Sequence, residues 1–453
     1  MLTPSIFKAN DIRGLVTGDN PEWDAAGAHA IGAAYVHVLG LAGQSFVLGR
    51  DMRSTGPELA GAFMAGATAQ GANVIDIGLS STDQLWFASG HFRLPGVQLT
   101  ASHNPADYNG VKFCLADAAP IEPAQLTEIK RIALGAPLPP AAGPGTRREQ
   151  DVLLDYAAHL HALVPLGGSR RLRVVYDAGN GMAGHTAPAV LGPLNLELFG
   201  LFTELDGSFP NHPPNPLEPE NLVDAQAAVR ECGADIGLVF DGDADRCFII
   251  DERGEVVSPS LVTALIARQE LAREPGGTIV INTITSRAVN QVVAADGGRV
   301  VISKVGHTSV KALMAQHDAI FGGEHSAHYY FRDFWGADTG MLAALHMLAL
   351  LARSAGAVSE LVAELPRYAG SGELNSTVAD VPAALDRVAT AFSGRGEQSR
   401  TDGLTIETGD WWVNVRASNT EPLLRLNIEA RTEQQMASLR DEALALIRGG
   451  SDA

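Results

Sequence analysis

Short apolar runs rich in β-branched residues recur along this chain, each interrupted by a compact polar loop. Three stretches follow one plan: an apolar strand, a polar loop, a helix, a second strand and, later, a hairpin. The first strands are Ser45 to Gly49, Leu172 to Tyr176 and Thr278 to Asn282; the second are Asn73 to Asp76, Leu196 to Phe199 and Arg299 to Ile302. The hairpins turn through Thr100 to Pro105, Asp241 to Arg246 and Gly323 to His328. They return along Val111 to Cys114, Cys247 to Ile250 and Tyr329 to Phe331. Such alternation predicts an α/β fold in which three related domains, each a mixed sheet with an antiparallel edge, bring their loops to a central cleft. From about residue 373 the pattern changes. Strands near 404–407, 411–416 and 423–430 and a helix from Glu433 to Arg448 predict a small α+β domain. A Pro/Gly-rich connector at 134–147, a turn at Asp251 to Gly254, and Pro366 with Gly370 to Gly372 mark the joins. The expected domains are therefore 1–150, 151–254, 255–368 and 369–453.

Composition narrows the function classes. Apolar residues make up 46% and charged residues 19% of 453 residues, as in a soluble globular protein. A net charge of −19 argues against nucleic acid or an anionic membrane as partner, and requires that any anionic substrate meet its own local cations. Three scattered cysteines suggest neither a disulfide frame nor a zinc site. The first residues lack a basic stretch followed by an apolar one, and Met341 to Ala352 is too short to span a bilayer and carries His346. It reads as a buried helix, and the expected location is cytoplasmic, as a monomer or weak dimer.

Chemistry concentrates in the loops. Ser102 stands where one strand ends and the chain turns, with an exposed hydroxyl expected, His103 and Asn104 beside it and Lys112 on the returning arm. A serine so placed is a candidate covalent acceptor. In the second loop Asp241, Asp243 and Asp245 alternate, and an all-carboxylate set that must not repel itself suits Mg²⁺. Glu252 at the twelfth position imitates a calcium-binding EF-hand, but Arg246 takes the sixth position, which needs glycine, and the flanks read as strands. An Asp-x-Asp pair directly after a strand also allows a haloacid-dehalogenase-type phosphatase with Asp241 as nucleophile, which would leave Ser102 and the repeats unused. A non-enzymatic sugar-phosphate sensor would need neither the acidic loop nor the serine.

Glu324, Ser326 and His328 offer an acceptor, a hydroxyl and an imidazole suited to vicinal sugar hydroxyls. Arg416, Ser418, Asn419 and Thr420 form a donor set able to wrap a phosphate, with Arg416 bidentate. Taken together, Thr100 to Pro105, Asp241 to Arg246, Gly323 to His328 and Arg416 to Pro422, with Asp11 to Gly14 near the start, resemble the α-D-phosphohexomutases in their order along the whole chain. Glu324, Ser326 and His328 fit the Gly-Glu-Met-Ser-Gly-His loop of the phosphomannomutase/phosphoglucomutase branch. His325 stands for its Met, Ala327 for its Gly, and Asn10 where relatives often carry Tyr. The resemblance implies four domains around a central cleft, a phosphorylated Ser102, and Mg²⁺ held by the three aspartates and the phosphoserine. It implies sugar recognition at the third loop and a non-reacting phosphate at the fourth. The expected reaction is a 1,6-phosphoryl shift on mannose or glucose phosphate through a hexose 1,6-bisphosphate, with phosphoglucosamine as the alternative substrate class. Lys112, Arg246 and Arg13 would neutralise charge, and either Lys112 or His307 would move the proton.

Overall fold

The computed structural model describes residues 1–139, 141–168, 170–417 and 423–449. The first repeat folds as a six-stranded sheet: β1 (Ile12–Leu15), β2 (Ser45–Arg50), β3 (Asn73–Leu79), β4 (Gly96–Leu99), β5 (Tyr108–Cys114) and β6 (Arg147–Glu149). Their order is β1-β5-β4-β2-β3-β6, with β2 parallel to β3 and β4, and β5 antiparallel to both β4 and β1. The inward residues of β2 and β5 bury Phe46 and Phe113 against Tyr35 and Phe63 from helices Ala25–Leu39 and Gly56–Ala69. These helices touch backbone to backbone, because a Cβ on Gly66 would sit 2.0 Å from the carbonyl oxygen of His29. The connector at 134–147 is less free than its composition implies: it ends in β6, which adds a parallel edge to β3.

The second repeat gives β7 (Leu172–Asp177), β8 (Leu196–Leu201), β9 (Ile236–Phe240), β10 (Cys247–Ile250) and β11 (Val256–Val257), ordered β11-β10-β9-β7-β8. The turn at Asp251 to Gly254 does not end this sheet, since β11 pairs with β10 beyond it. The third repeat supplies a parallel trio, β12 (Thr278–Asn282), β13 (Arg299–Ser303) and β14 (Phe321–Gly323), and an antiparallel pair, β15 (Tyr329–Phe331) and β16 (Ala337–Asp338). Helix Gly340–Arg353 is buried along most of its length, as its apolar run predicts. Last come β17 (Ala369–Gly370), β18 (Leu374–Thr377), β19 (Glu397–Ser399), β20 (Leu404–Glu407), β21 (Trp411–Ala417) and β22 (Leu423–Ala430). Their inward faces pack Val413, Leu426 and Ile428 against Val388 and Ile447, which come from helices Val381–Ala391 and Glu433–Arg448. The expected α/β plan of three mixed-sheet domains and a distinct C-terminal one is the plan observed.

Compactness divides the chain otherwise than the repeats do. One unit comprises 1–262 with 326–362, and the other 263–325 with 363–453. The third loop is cut by this division, so Ser326 and His328 belong to the first unit and Glu324 and His325 to the second.

Candidate active site

In the first unit, β4 and β5 form the expected hairpin and the loop between them presents Ser102. Its hydroxyl is not exposed. The residue is 3% accessible because side chains remote in sequence close over it, above all Asp241, whose Oδ2 accepts from Ser102 Oγ at 3.0 Å. Ser102 has φ +51°, a left-handed conformation costing a non-glycine residue roughly 1 kcal/mol or more. The Ser102 amide is held by Thr100 Oγ1 at 2.9 Å. Burial and the neighbouring Arg246 push the His103 imidazole well below its ordinary value; its Nδ1 accepts from the Arg246 guanidinium and lies 3.2 Å from Ser102 Oγ. Arg13 reaches this loop from β1, donating to Asn104 Oδ1 and Asp11 Oδ2, each at 2.8 Å.

The acidic loop joins β9 to β10. Both flanks are antiparallel strands, which excludes the helix–loop–helix of an EF-hand. Asp241, Asp243 and Asp245 are buried and offer oxygens lying within 4.8 Å of one another. Lys112 Nζ donates at 2.6 Å to Oδ2 of both Asp243 and Asp245, while Arg246 Nε donates to Asp241 Oδ2 at 2.9 Å. Burial alone would raise the Asp243 pKa, but Lys112 outweighs it and holds the carboxyl well below the usual carboxylate range. Reciprocally, burial would lower the Lys112 pKa, yet Asp243 and Asp245 raise it, so the ammonium keeps its protons. Asp241 is pushed up to about 7 by burial, against the pull of Arg246 and with help from the adjacent aspartates. Asp243 Oδ1 and Asp245 Oδ1 are buried without a hydrogen-bond partner among the described residues. Two unsatisfied carboxylate oxygens in an oxygen-only cluster fit a hard divalent cation.

The sequence-predicted residues of the third loop divide. Ser326 Oγ lies 2.9 Å from His328 Nδ1, and His328 Nε2 lies 3.6 Å from Asp245 Oδ1, so this imidazole stands beside the acidic loop. In the second unit, Glu324 is buried and its Oε2 accepts from Asn282 Nδ2 at 3.2 Å and from the Gly306 amide at 3.0 Å. That bond ties Glu324 to the turn that opens helix His307–His317. Arg416 is not a loop donor but the penultimate residue of β21, buried and paired with Glu373, whose other oxygen lies 3.3 Å from Arg425. Arg416 Nη1, Arg425 Nε and His325 Nδ1 are buried and have no hydrogen-bond partner among the described residues. Burial, with Arg416 nearby, lowers the His325 pKa and keeps that ring neutral. Ser418, Asn419 and Thr420 lie outside the described residues.

Sequence reasoning passed over a device common to the three repeats. Where each first strand ends, an acid or amide side chain accepts from the backbone two residues on. Asp51 Oδ1 takes the Arg53 amide at 3.0 Å, Asp177 Oδ1 the Gly179 amide at 2.8 Å, and Asn282 Oδ1 that of Ile284 at 3.2 Å. An Asp or Asn directly after an apolar strand, three times over, is the signal that would have found it. Thr82 was also passed over. It opens helix Thr82–Phe92 and donates to Asp243 Oδ2 at 2.5 Å, occupying with Lys112 the oxygen that is not orphaned.

Comparison with known proteins shows the family. Residues 4–136, 155–254 and 258–368 match the alpha/beta/alpha domains I, II and III of phosphoglucomutase/phosphomannomutase, and 373–446 match its C-terminal domain. The chain is 38% identical to a phosphomannomutase of Salmonella typhimurium, covering 97% of this chain and 98% of that one. It is 39% identical to a protein of Xanthomonas campestris named phosphohexose mutases, over 99% and 100% of the two chains. A crystal structure of a phosphoglucomutase/phosphomannomutase family protein from Burkholderia thailandensis superposes with a TM-score of 0.91 at 34% identity, covering 100% of this chain and 99% of that one.

Proposed function

The chain belongs to the phosphoglucomutase/phosphomannomutase family, and from that premise we propose that Ser102 is its phosphoryl carrier. The protein is a phosphohexomutase, an isomerase that transfers phosphate within a hexose phosphate. One observation carries the assignment of the carrier: Ser102 Oγ donates to Asp241 at 3.0 Å, beside two aspartates that each keep an unsatisfied oxygen. Asp241 Oδ2 already accepts from both Ser102 and Arg246, which disfavours Asp241 as the nucleophile of a dehalogenase-type phosphatase.

Phospho-Ser102 gives its phosphoryl group to the free hydroxyl of a hexose monophosphate. The serine O–P bond breaks, a sugar O–P bond forms, and the hydroxyl proton leaves to a base. The hexose 1,6-bisphosphate turns over and its other phosphoryl group returns to Ser102. Asp241, Asp243 and Asp245, with the serine oxygen, would hold Mg²⁺, which supplies charge neutralisation for the transferred group. Lys112 and Arg246 add fixed positive charge, and Arg13 orients the loop through Asn104. Lys112 is unsuited to accept the proton because two carboxylates hold it charged. An imidazole takes that part: His328, 3.6 Å from Asp245, or His307.

Glu324 and Ser326 read the sugar, and Arg416, with Ser418, Asn419 and Thr420, holds the phosphate that does not react. A relative named phosphomannomutase and the phosphoglucomutase/phosphomannomutase domain matches support mannose and glucose phosphates as substrates over phosphoglucosamine. The domains are taken as 1–150, 151–254, 255–368 and 369–453, in a cytoplasmic monomer or weak dimer. Among the described residues no helix is long and apolar enough to cross a membrane. Intact-mass measurement tests the carrier: one phosphate on the wild type, mapped to Ser102, is expected, and label on Asp241 would overturn the assignment.

A further inference from the structure

We propose that Arg53 is the positioning residue on which the carrier loop is folded. The inference rests on Ser102 being the carrier. Arg53 is 1% accessible and touches no reacting group, yet all five of its N–H donors are used. Nη2 donates to the carbonyls of Ser102 and Asn104 at 2.9 and 2.6 Å, and Nη1 to those of Pro105 and Tyr108 at 2.6 and 2.9 Å. Nε donates to Asp51 Oδ2 at 3.2 Å. Four carbonyls of one seven-residue stretch therefore converge on a single guanidinium, and Ser102, the first of them, is the residue held left-handed at φ +51°. The ring of Phe209 lies 5.1 Å from the guanidinium carbon. A Cβ on Gly207 would fall 2.6 Å from Arg53 Cα, so that segment closes tightly over the residue.

Comparison of the repeats says why this is more than packing. All three have the same side-chain turn at the end of the first strand, on Asp51, Asp177 and Asn282. The residue two positions on is Arg53 only in the repeat that bears Ser102; in the others it is Gly179 and Ile284, which have no donor to send into a loop. Lysine cannot substitute, because three tetrahedral donors cannot reach four carbonyls and a carboxylate laid out around a planar fork.

The test uses the full-length enzyme. Arg53→Lys should lower kcat by about 100-fold with KM within about threefold of wild type, since a nucleophile misplaced by an ångström costs rate rather than binding. Mn²⁺ affinity, read by titration, should stay within about threefold, and hydrogen exchange should quicken at 100–108 alone. Arg53→Ala should regain at least about tenfold in ~50 mM guanidinium chloride, which should not help wild type. Should Arg53→Lys not fold, Asp51→Asn decides. An amide already serves that turn at Asn282, so the turn is kept while the charged bonds to Arg53 Nε and Thr100 are weakened, and about a tenfold fall in kcat is expected. A folded Arg53→Lys or an Asp51→Asn with wild-type kcat overturns the inference, as does equal loss of Mn²⁺ affinity and rate. Wild-type phosphate mapped away from Ser102 would instead overturn the carrier assignment itself.

Discussion

Two regions of the molecule leave opposite charges unanswered. Around Ser102 the donors are satisfied and acceptors are left over, namely Asp243 Oδ1 and Asp245 Oδ1. Among the charged groups around Arg416 the reverse holds: Glu373 is shared by two arginines, and among the described residues Arg416 Nη1 and Arg425 Nε remain buried without a hydrogen-bond partner, as do the amide oxygens of Asn414 and Asn427. Buried polar atoms are rarely left so, and the sign of what is missing names the guest. The first region could hold a cation, and on the reading proposed above the second takes an anion. It is also the satisfied donors of the first region, Lys112 and Arg246, that keep three buried carboxylates from repelling one another.

The largest effect should come from removing the atom on which both transfers depend. Ser102→Ala should lose mutase turnover by about 10⁴-fold or more, with no phosphate found by intact mass, because the relay has no other stop. Asp243→Asn comes next. It removes one charge from the cation region while keeping its shape, and Mn²⁺ affinity and turnover should each fall by about 100-fold. Calorimetry and kinetics read the two independently, and wild-type affinity in this variant would mean that the orphaned oxygens serve something other than a metal.

Arg416→Ala probes the other side of the comparison and should act differently. A phosphate bound alike before and during transfer contributes uniform binding, so KM should rise by about 30-fold with kcat changed little. A variant that instead lost kcat and kept KM would show that this arginine faces the transferred group, and the two regions would no longer be separable by function.

What was legible in the sequence follows from the range of each interaction. The strands of the three repeats were readable because buried parallel strands are continuous apolar runs, and the acidic loop because three aspartates two apart have few other uses. Ser102 was read as exposed because what buries it lies far along the chain; Asp241, its nearest acceptor, is 139 residues away. Arg416 looked like a free loop donor because Glu373, 43 residues earlier, carries no motif. Arg53 and Thr82 were passed over for the same reason. Each is one ordinary residue whose role is set by partners 49 to 161 positions distant.

The smallest expected effect concerns the sugar, which neither unsatisfied region reads directly. Mannose and glucose phosphates differ only at C2. A bisphosphate that turns end over end in one site can keep C3 and C4 near the same loop while C2 changes place. Glu324 suits such a pair, although its Oε2 is already engaged by Asn282 and Gly306, which orients the carboxylate. His325 was the residue best able to reach C2, yet its half-buried ring is held neutral near Arg416. Strong rejection of an epimer requires a buried polar group that the wrong sugar leaves unpaired, and neither Glu324 nor His325 is expected to supply one at C2. The specificity constants for mannose 1-phosphate and glucose 1-phosphate should therefore lie within about 100-fold of each other. His325→Met should change their ratio by less than about threefold, because the imidazole is spent near the phosphate rather than at C2. A gap far beyond that range, collapsing in the methionine variant, would show that His325 reads C2 and that the anion region also selects the sugar.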